Sequence, residues 1–120
     1  MTPSLPAPLL VGLGGALGAV LRYAMGEALA DLDTPFPAST LAVNTLGTFA
    51  LGLLTVAGAG EDWLLLLGTG TCGAFTTFSS FSVETVRTWE AGDRALAAGY
   101  ALGTLALAAA ALGFAWLLVG

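Results

Sequence analysis

The segment that decides the fold runs from Gly73 to Glu84 and reads GAFTTFSSFSVE. It places five hydroxyl side chains, three phenylalanines and one carboxylate in the second half of an otherwise apolar stretch. Polar groups at membrane depth are costly, and they usually face a pathway, a bound ion or a partner helix. Because most of these groups are neutral donors and acceptors, the segment favours contact with a small desolvated ion over proton chemistry.

The composition of the chain indicates a membrane protein. Of its 120 residues, 57% are hydrophobic and 9% are charged, whereas a soluble domain carries about 25% charged residues. The sequence therefore predicts a multi-pass integral protein of the cell membrane, with residues 1–120 forming one domain. Its only cations are Arg22, Arg87 and Arg94, so a nucleic-acid partner is excluded for want of a basic face.

Four apolar segments divide the chain, and each approaches or exceeds the roughly 20 residues that span a bilayer. We predict transmembrane helices over residues 8–30, 39–58, 63–88 and 93–118, which gives an all-α fold with four helices per subunit. Pro37 prevents the second helix from extending backwards, and Ser39 is its predicted N-cap.

The arginines give only a weak indication of orientation. Arg87 and Arg94 flank the third loop, which favours cytoplasmic first and third loops. Two loop charges are a small bias, so insertion in both orientations is also permitted. Four helices barely surround an aqueous pathway, and a transport function would therefore require an oligomer.

The third helix is predicted to break near Gly73–Thr77, because residues 68–73 are glycine-rich and the hydroxyl run follows at once. Unwound backbone at membrane depth must be buried in protein or line a cavity. Transporters use such breaks to aim carbonyls at cations and helix N-termini at anions. The alternative is a continuous helix softened by glycine. Cys72, the only cysteine, is interpreted as a small packing residue.

Polar stripes follow two other helices. Thr40, Asn44 and Thr48 are four residues apart on the second helix, and Tyr100 and Thr104 repeat that spacing on the fourth. An asparagine amide offers two N–H donors and one carbonyl acceptor, which suit an anion or an interhelical hydrogen bond equally well. Hydroxyls on a helix can also bond back to their own carbonyls.

Phe78 and Phe81 lie on one face of the third helix, beside Ser79, Ser80 and Ser82. The edge of an aromatic ring is positive and can face an anion without trapping it. Ordinary packing against lipid or a neighbouring helix is the alternative interpretation of these rings.

Two GxxxG patterns, Gly14–Gly18 and Gly99–Gly103, allow close helix packing within the chain or between copies. Among the charged residues, Arg22 either extends to the interface or forms a positive vestibule. Glu84 is expected to pair with Arg87, and closing a pathway is its alternative role. The chain is not expected to be an enzyme, because it has no histidine, no metal-ligand cluster and no base beside its serines.

Residues 14–23, 40–49 and 73–84 together resemble the Fluc (CrcB) family of fluoride ion channels. The resemblance implies a passive, fluoride-selective channel that releases cytoplasmic fluoride and relieves its toxicity. It also implies an antiparallel, dual-topology homodimer in the lipid bilayer with two pores, each lined by both subunits. A structural sodium ion, which is not transported, would lie on the dimer axis.

Each site residue is carried over by its position in these motifs. The resemblance implies that the fluoride pores are lined by Asn44, Phe78, Phe81, Ser79, Ser80, Tyr100 and Thr104. It implies that the backbone carbonyls of Gly73 and Thr76 bind the sodium ion and that Arg22 lies in the vestibule. Ala108, one turn past Thr104, stands where some relatives carry a hydroxyl. At that end of the row of pore-lining polar residues, this chain therefore departs from the family pattern.

Two other functions remain open from the sequence. A small four-helix, proton-coupled exporter of cationic compounds needs a carboxylate deep in the membrane, and Glu84, near the end of its segment, is the only candidate. A non-transporting assembly subunit would use its polar stripes only to join helices.

Overall fold

A computed structural model describes residues 5–120, and every regular element in that range is helical. The elements are α1 (Ala7–Ala28), α2 (Ala38–Val56), α3 (Glu61–Trp63), a π-helical segment (Leu64–Cys72), α4 (Gly73–Phe75), α5 (Phe78–Glu90) and α6 (Arg94–Val119). Within the described residues, four segments are long and apolar enough to cross a membrane: α1, α2, the third span Glu61–Glu90 and α6. The predicted all-α fold with four membrane helices is confirmed.

The predicted N-cap of the second helix is wrong. Helix α2 begins at Ala38, with Pro37 in the N-cap position and no side chain capping the helix. The Pro37 carbonyl accepts the first helical hydrogen bond, from the Leu41 N–H at 3.1 Å, so the helix starts two residues earlier than a Ser39 cap would allow.

Glycines with positive φ end two of the helices. After α2, Gly58 (φ 74°) directs the Ala59 N–H onto the Leu54 carbonyl at 3.0 Å. After α5, Gly92 (φ 99°) directs the Asp93 N–H onto the Thr88 carbonyl at 3.2 Å. Both ends are Schellman motifs, in which a left-handed glycine satisfies the last carbonyls of a helix. Sharp turns thus follow α2 and α5.

The predicted interruption of the third span is confirmed, and it lies at Thr76–Thr77, called the break below. Thr76 has φ −86° and ψ 164°, and Thr77 has φ −151° and ψ 118°, so both are extended. The first arm of the span, residues 61–75, contains nine π-helical residues, Leu64–Cys72. The sequence analysis did not predict this wider helix, which is rare and often lies at functional sites.

Helix α1 packs against the first arm through glycines. A Cβ atom on Gly14 would overlap the Leu66 carbonyl oxygen, and one on Gly18 would overlap the Thr71 carbonyl oxygen. The first GxxxG pattern therefore serves packing within the chain. In contrast, Cβ atoms on Gly99 and Gly103 would meet no atom within 4 Å.

Helix α2 packs mainly against α6. The rings of Phe49 and Phe114 stack with their centroids 5.6 Å apart, and a Cβ on Gly52 would lie 3.1 Å from the Ala115 methyl group. The break therefore lies between α1 on one side and the pair α2 and α6 on the other.

Candidate ion site at the break of the third span

Asn44 of α2 holds the break by both ends of its amide. Its Oδ1 accepts a hydrogen bond from the Thr77 N–H at 2.7 Å, and its Nδ2 donates to the Thr77 carbonyl at 3.0 Å. Gly47, one turn further along α2, has no side chain to obstruct this approach, since a Cβ there would overlap the Thr76 methyl group. The asparagine thus replaces both backbone partners that Thr77 lacks in the break.

Four backbone carbonyls, those of residues 73–76, lose their helical donors at the break, and those of Gly73 and Thr76 are two of them. In a continuous α-helix the Thr77 N–H would bond the Gly73 carbonyl, and the Ser80 N–H would bond the Thr76 carbonyl. Here the Thr77 N–H donates to Asn44, and the Ser80 N–H donates to the Thr77 hydroxyl at 3.1 Å as α5 begins. The carbonyls of Gly73 and Thr76 are thereby released from the helical ladder.

The released carbonyls are chemically suited to a hard cation such as sodium, because such ions prefer oxygen ligands, backbone carbonyls included. Across residues 5–120 no group of three or more His, Cys, Asp or Glu side chains is placed to hold a metal ion. A cation at this site would therefore be bound by main-chain oxygens, and Gly73 and Thr76 are the two residues that the family resemblance implies.

A cavity of about 820 Å³ lies beside the break, between α2, the first arm and α6. Six of the predicted site residues line it: Asn44, Gly73, Thr76, Phe78, Phe81 and Thr104. Ser79 and Ser80 are outside its lining, and Ala108 is part of it. Tyr100 lines a second cavity, of about 200 Å³, and Thr104 lines both cavities. The structure therefore brings together most, though not all, of the predicted site.

The aromatic residues form a row from the break towards α6. The ring centroids of Phe78 and Phe81 are 6.0 Å apart, and those of Phe81 and Tyr100 are 5.4 Å apart, with both pairs tilted. Phe78 is 79% exposed although it is a large apolar side chain. Its ring is therefore free to meet lipid, a second copy of the chain or an ion beside the cavity.

Glu84 has a different environment from the one expected. Its carboxylate accepts hydrogen bonds from the Thr40 hydroxyl at 3.2 Å and from the Tyr100 hydroxyl at 3.3 Å. The expected pairing with Arg87 is thus replaced by a cluster that joins α2, α5 and α6. Sequence reasoning missed this cluster, because Thr40 and Tyr100 lie 44 and 16 positions from Glu84 and no local pattern relates them to it.

The hydroxyls around the cavity and on its neighbouring helices differ in whether they have a hydrogen-bond partner. Thr48 bonds back to the Asn44 carbonyl at 2.7 Å, while Thr77 contacts the Ser79 hydroxyl at 3.3 Å. The Oγ1 atoms of Thr45 and Thr104 are buried and have no hydrogen-bond partner among the described residues. A buried polar atom without a partner calls for an explanation, and a ligand in the cavity would supply one for Thr104.

Arg22 reaches the break from the side of α1. Its Nη1 donates to the Thr76 carbonyl at 3.3 Å, across 54 positions of sequence. The guanidinium is exposed, as an arginine near a membrane interface usually is. The structure therefore links this residue, expected only at the interface or in a vestibule, to one of the released carbonyls.

Comparison with known proteins identifies the family of this chain. The family model described as "CrcB-like protein, Camphor Resistance (CrcB)" matches residues 9–116. The chain is similar to the fluoride-specific ion channel FluC 2 of Haloarcula marismortui, with 59% identity over 107 residues, 89% of this chain and 88% of the relative.

Two further relatives match over nearly their whole length. The fluoride-specific ion channel FluC 1 of Halobacterium salinarum is 53% identical over 114 residues, which cover 95% of this chain and 94% of the relative. The fluoride-specific ion channel FluC of Erythrobacter litoralis is 45% identical over 127 residues, which cover 97% and 93%.

Proposed function

Since this chain belongs to the family of CrcB-like proteins, we propose that it is a fluoride-selective ion channel through which cytoplasmic fluoride leaves the cell passively. It is then a transporter and not an enzyme. The three relatives described above are named as fluoride-specific channels. The observation in this chain that supports the proposal is the cavity beside the break, with the Asn44 amide and the Thr104 hydroxyl in its lining.

The cavity offers fluoride neutral hydrogen-bond donors. One Nδ2 hydrogen of Asn44 is used on Thr77, which leaves the second available, and the Thr104 hydroxyl has no protein partner among the described residues. The positive edges of Phe78 and Phe81 add a weaker attraction. The lining has no charged side chain in the part of the chain that the structure describes, so bound fluoride can also leave, as conduction requires.

The full pathway in this proposal needs a second copy of the chain. In a single copy, α2, the first arm and α6 bound the larger cavity on one side only. Phe78, which is part of its lining, is largely exposed. We propose an antiparallel homodimer, inserted in both orientations, with two pores to which both copies contribute. Phe78, Phe81, Asn44 and Thr104 would line the pores, with Ser79, Ser80 and Tyr100 beside them.

A structural sodium ion is the proposed cofactor. The Gly73 and Thr76 carbonyls of both copies would provide four oxygen ligands at the dimer axis. The diverted N–H groups of Thr77 and Ser80 leave these two carbonyls free to bind a cation, and their choice among the four carbonyls freed at the break follows the family resemblance. When bound, the ion would hold the two breaks together and contribute a positive potential near the pores.

Fluoride efflux from liposomes tests the channel proposal. Purified protein is reconstituted, potassium is clamped with valinomycin, and fluoride and chloride release are followed with selective electrodes, with and without a proton ionophore. A channel releases fluoride with the valinomycin shunt alone and releases little chloride. Release that requires the ionophore would indicate exchange coupled to protons, and no fluoride release from monodisperse protein would contradict the proposal.

The exporter alternative depends on Glu84. A proton-coupled carboxylate must be free to exchange its proton and its substrate, whereas this one is bound by Thr40 and Tyr100. If the exporter function were correct, pH-driven efflux of an organic cation would be lost on Glu84→Gln substitution, while fluoride release would be absent from the unsubstituted protein.

A further inference from the structure

We infer that Arg22 is a positioning residue for the cation site: its guanidinium orients the Thr76 carbonyl, and it thereby sets the affinity of the protein for sodium. The inference rests on the proposed function, because it takes Thr76 as one of the sodium ligands. It assigns Arg22 a role within the break, in addition to any contribution that its charge makes to a vestibule.

The backbone of α1 places Arg22 at the correct distance. Gly18, one turn earlier, allows α1 to approach the first arm so closely that a Cβ there would lie 3.0 Å from the Phe75 nitrogen. The contact fixes the spacing between α1 and the end of α4. Arg22 then extends from the next turn of α1 and donates to the Thr76 carbonyl at 3.3 Å.

The Thr76 carbonyl needs an external donor because the break deprives it of its own. Its helical donor, the Ser80 N–H, is bound to the Thr77 hydroxyl. The other polar groups of Thr76 face back along the first arm, since its N–H and its hydroxyl both donate to the Cys72 carbonyl at 3.0 Å. Among the described contacts, Arg22 is therefore the side chain that restrains the direction of this carbonyl.

A carbonyl oxygen has two lone pairs, so one hydrogen bond from Arg22 leaves a second for a cation. The break is then held on two sides: Asn44 fixes the backbone of Thr77, and Arg22 fixes the carbonyl of Thr76. A ligand oxygen that is already oriented costs less entropy on binding, and the cation is bound more tightly.

The positive charge of Arg22 acts in the opposite direction, since it repels a cation. We infer that this repulsion is the weaker effect, because the guanidinium is exposed and water around it weakens the interaction. The hydrogen bond, in contrast, acts directly on a ligand atom. The two effects give opposite signs when Arg22 is replaced, so the direction of the change in sodium affinity distinguishes them.

The test measures sodium affinity without ion flux. Purified protein in detergent is titrated with sodium chloride at constant ionic strength, with choline as the replacement cation. The thermal unfolding midpoint, Tm, is followed by tryptophan fluorescence. A ligand that binds only the folded protein raises Tm with its concentration, and the rise gives an apparent dissociation constant. Arg22→Met keeps most of the apolar stem of the side chain and removes its donors.

Arg22→Met is expected to raise the apparent sodium dissociation constant about three- to tenfold, the effect of one lost hydrogen bond. Arg22→Lys is expected to fall between Arg22→Met and the unsubstituted protein, because its ammonium donates from a shorter stem. Arg87→Met is the matched control: it removes an exposed guanidinium from α5 and should change the constant less than twofold. If Arg22→Met does not fold, Arg22→Leu is used, which also has no donor and has the same expected direction.

Three outcomes would overturn the inference. Tighter sodium binding by Arg22→Met would show that charge repulsion dominates, an unchanged constant would show that Arg22 does not position the carbonyl, and no rise of Tm with sodium in the unsubstituted protein would remove the cation site itself. Fluoride efflux from the same preparation separates this inference from the channel proposal. Fluoride release without a sodium effect would leave the channel standing and remove the positioning role.

Discussion

The third span and α6 both carry polar residues within long apolar segments, but only the third span is interrupted. At the break, the Asn44 amide and the Thr77 hydroxyl take over backbone N–H groups that a continuous helix would use. On α6, the Tyr100 hydroxyl bonds to Glu84 instead, and the helix continues from Arg94 to Val119. Hydroxyl residues alone therefore do not interrupt a membrane helix, and a neighbouring side chain must replace the lost backbone bonds.

The largest loss of stability is expected where a glycine of α1 contacts the third span, and little loss where a glycine of α6 has no neighbour among the described residues. Gly18→Ala places a methyl group against the Thr71 carbonyl of the first arm, where backbone has little room to move, and should cost about 3 kcal/mol or more. Gly103→Ala on α6 is the matched control, because its methyl group meets no atom within 4 Å. The measurement is Tm in detergent together with the fraction of monodisperse protein.

Equal stability of the Gly18→Ala and Gly103→Ala proteins would contradict the packing of α1 on the first arm. A large fall in Tm for Gly103→Ala would have a different meaning. It would show that the open glycine face of α6 is covered by a second copy of the chain, as the homodimer proposal permits.

Asn44→Ala should produce the next largest effect. The substitution removes both hydrogen bonds to Thr77 and leaves its N–H and carbonyl without those partners, at a cost of about 2–3 kcal/mol. Hydrogen–deuterium exchange should accelerate at Thr77 while the amides of α6 remain protected, and Tm should fall. Slow exchange at Thr77 in the Asn44→Ala protein would show that the break does not depend on this amide.

Tyr100→Phe should have a smaller effect, because it removes one of the two hydrogen bonds to Glu84. We expect a loss of about 1 kcal/mol in the free energy of unfolding. The Glu84→Ala and Tyr100→Phe substitutions, measured singly and together, give the coupling energy of the pair, because each removes the contact. Strictly additive effects would indicate that the 3.3 Å contact contributes nothing to stability.

Thr104→Val should have the smallest effect on stability, within about 0.5 kcal/mol, because the Thr104 hydroxyl has no partner among the described residues and valine keeps its shape. Tm of the valine protein measures this directly. A marked fall would mean that the hydroxyl has a structural partner, such as one supplied by a second copy, and that its role in the pathway must be reconsidered.

The sequence was sufficient to predict the four membrane helices and the position of the break. The lengths of the apolar segments predict the helices. The glycines beside the hydroxyl run near Thr76 and Thr77 predict the break. The four-residue spacing also predicted the polar faces of α2 and α6 to which Asn44, Thr48 and Thr104 of the cavity lining belong, whereas their assignment to a pore came from the family resemblance. Local pattern is enough for such features.

The remaining features depend on contacts between distant residues. Asn44 and Thr77 are 33 positions apart, and Arg22 and Thr76 are 54 apart, so no local pattern pairs them. The true partners of Glu84 lie on α2 and α6 and could not be chosen over the nearby Arg87. The π-helical pitch of Leu64–Cys72 is likewise invisible in a run of leucines and glycines, because the close approach of α1 contacts this segment only in the folded chain.

The measurement that tests the central claim most directly is fluoride efflux from liposomes containing either the unsubstituted or the Thr104→Val protein, per folded protein and with chloride as the control ion. The account predicts rapid, fluoride-selective release without proton coupling. It predicts that Thr104→Val slows release by about fivefold or more, the effect of one lost donor to a charged ion, while Tm is unchanged. Equal fluoride release by both proteins would contradict a pathway through the cavity beside the break, and no selective release by either would contradict the channel itself.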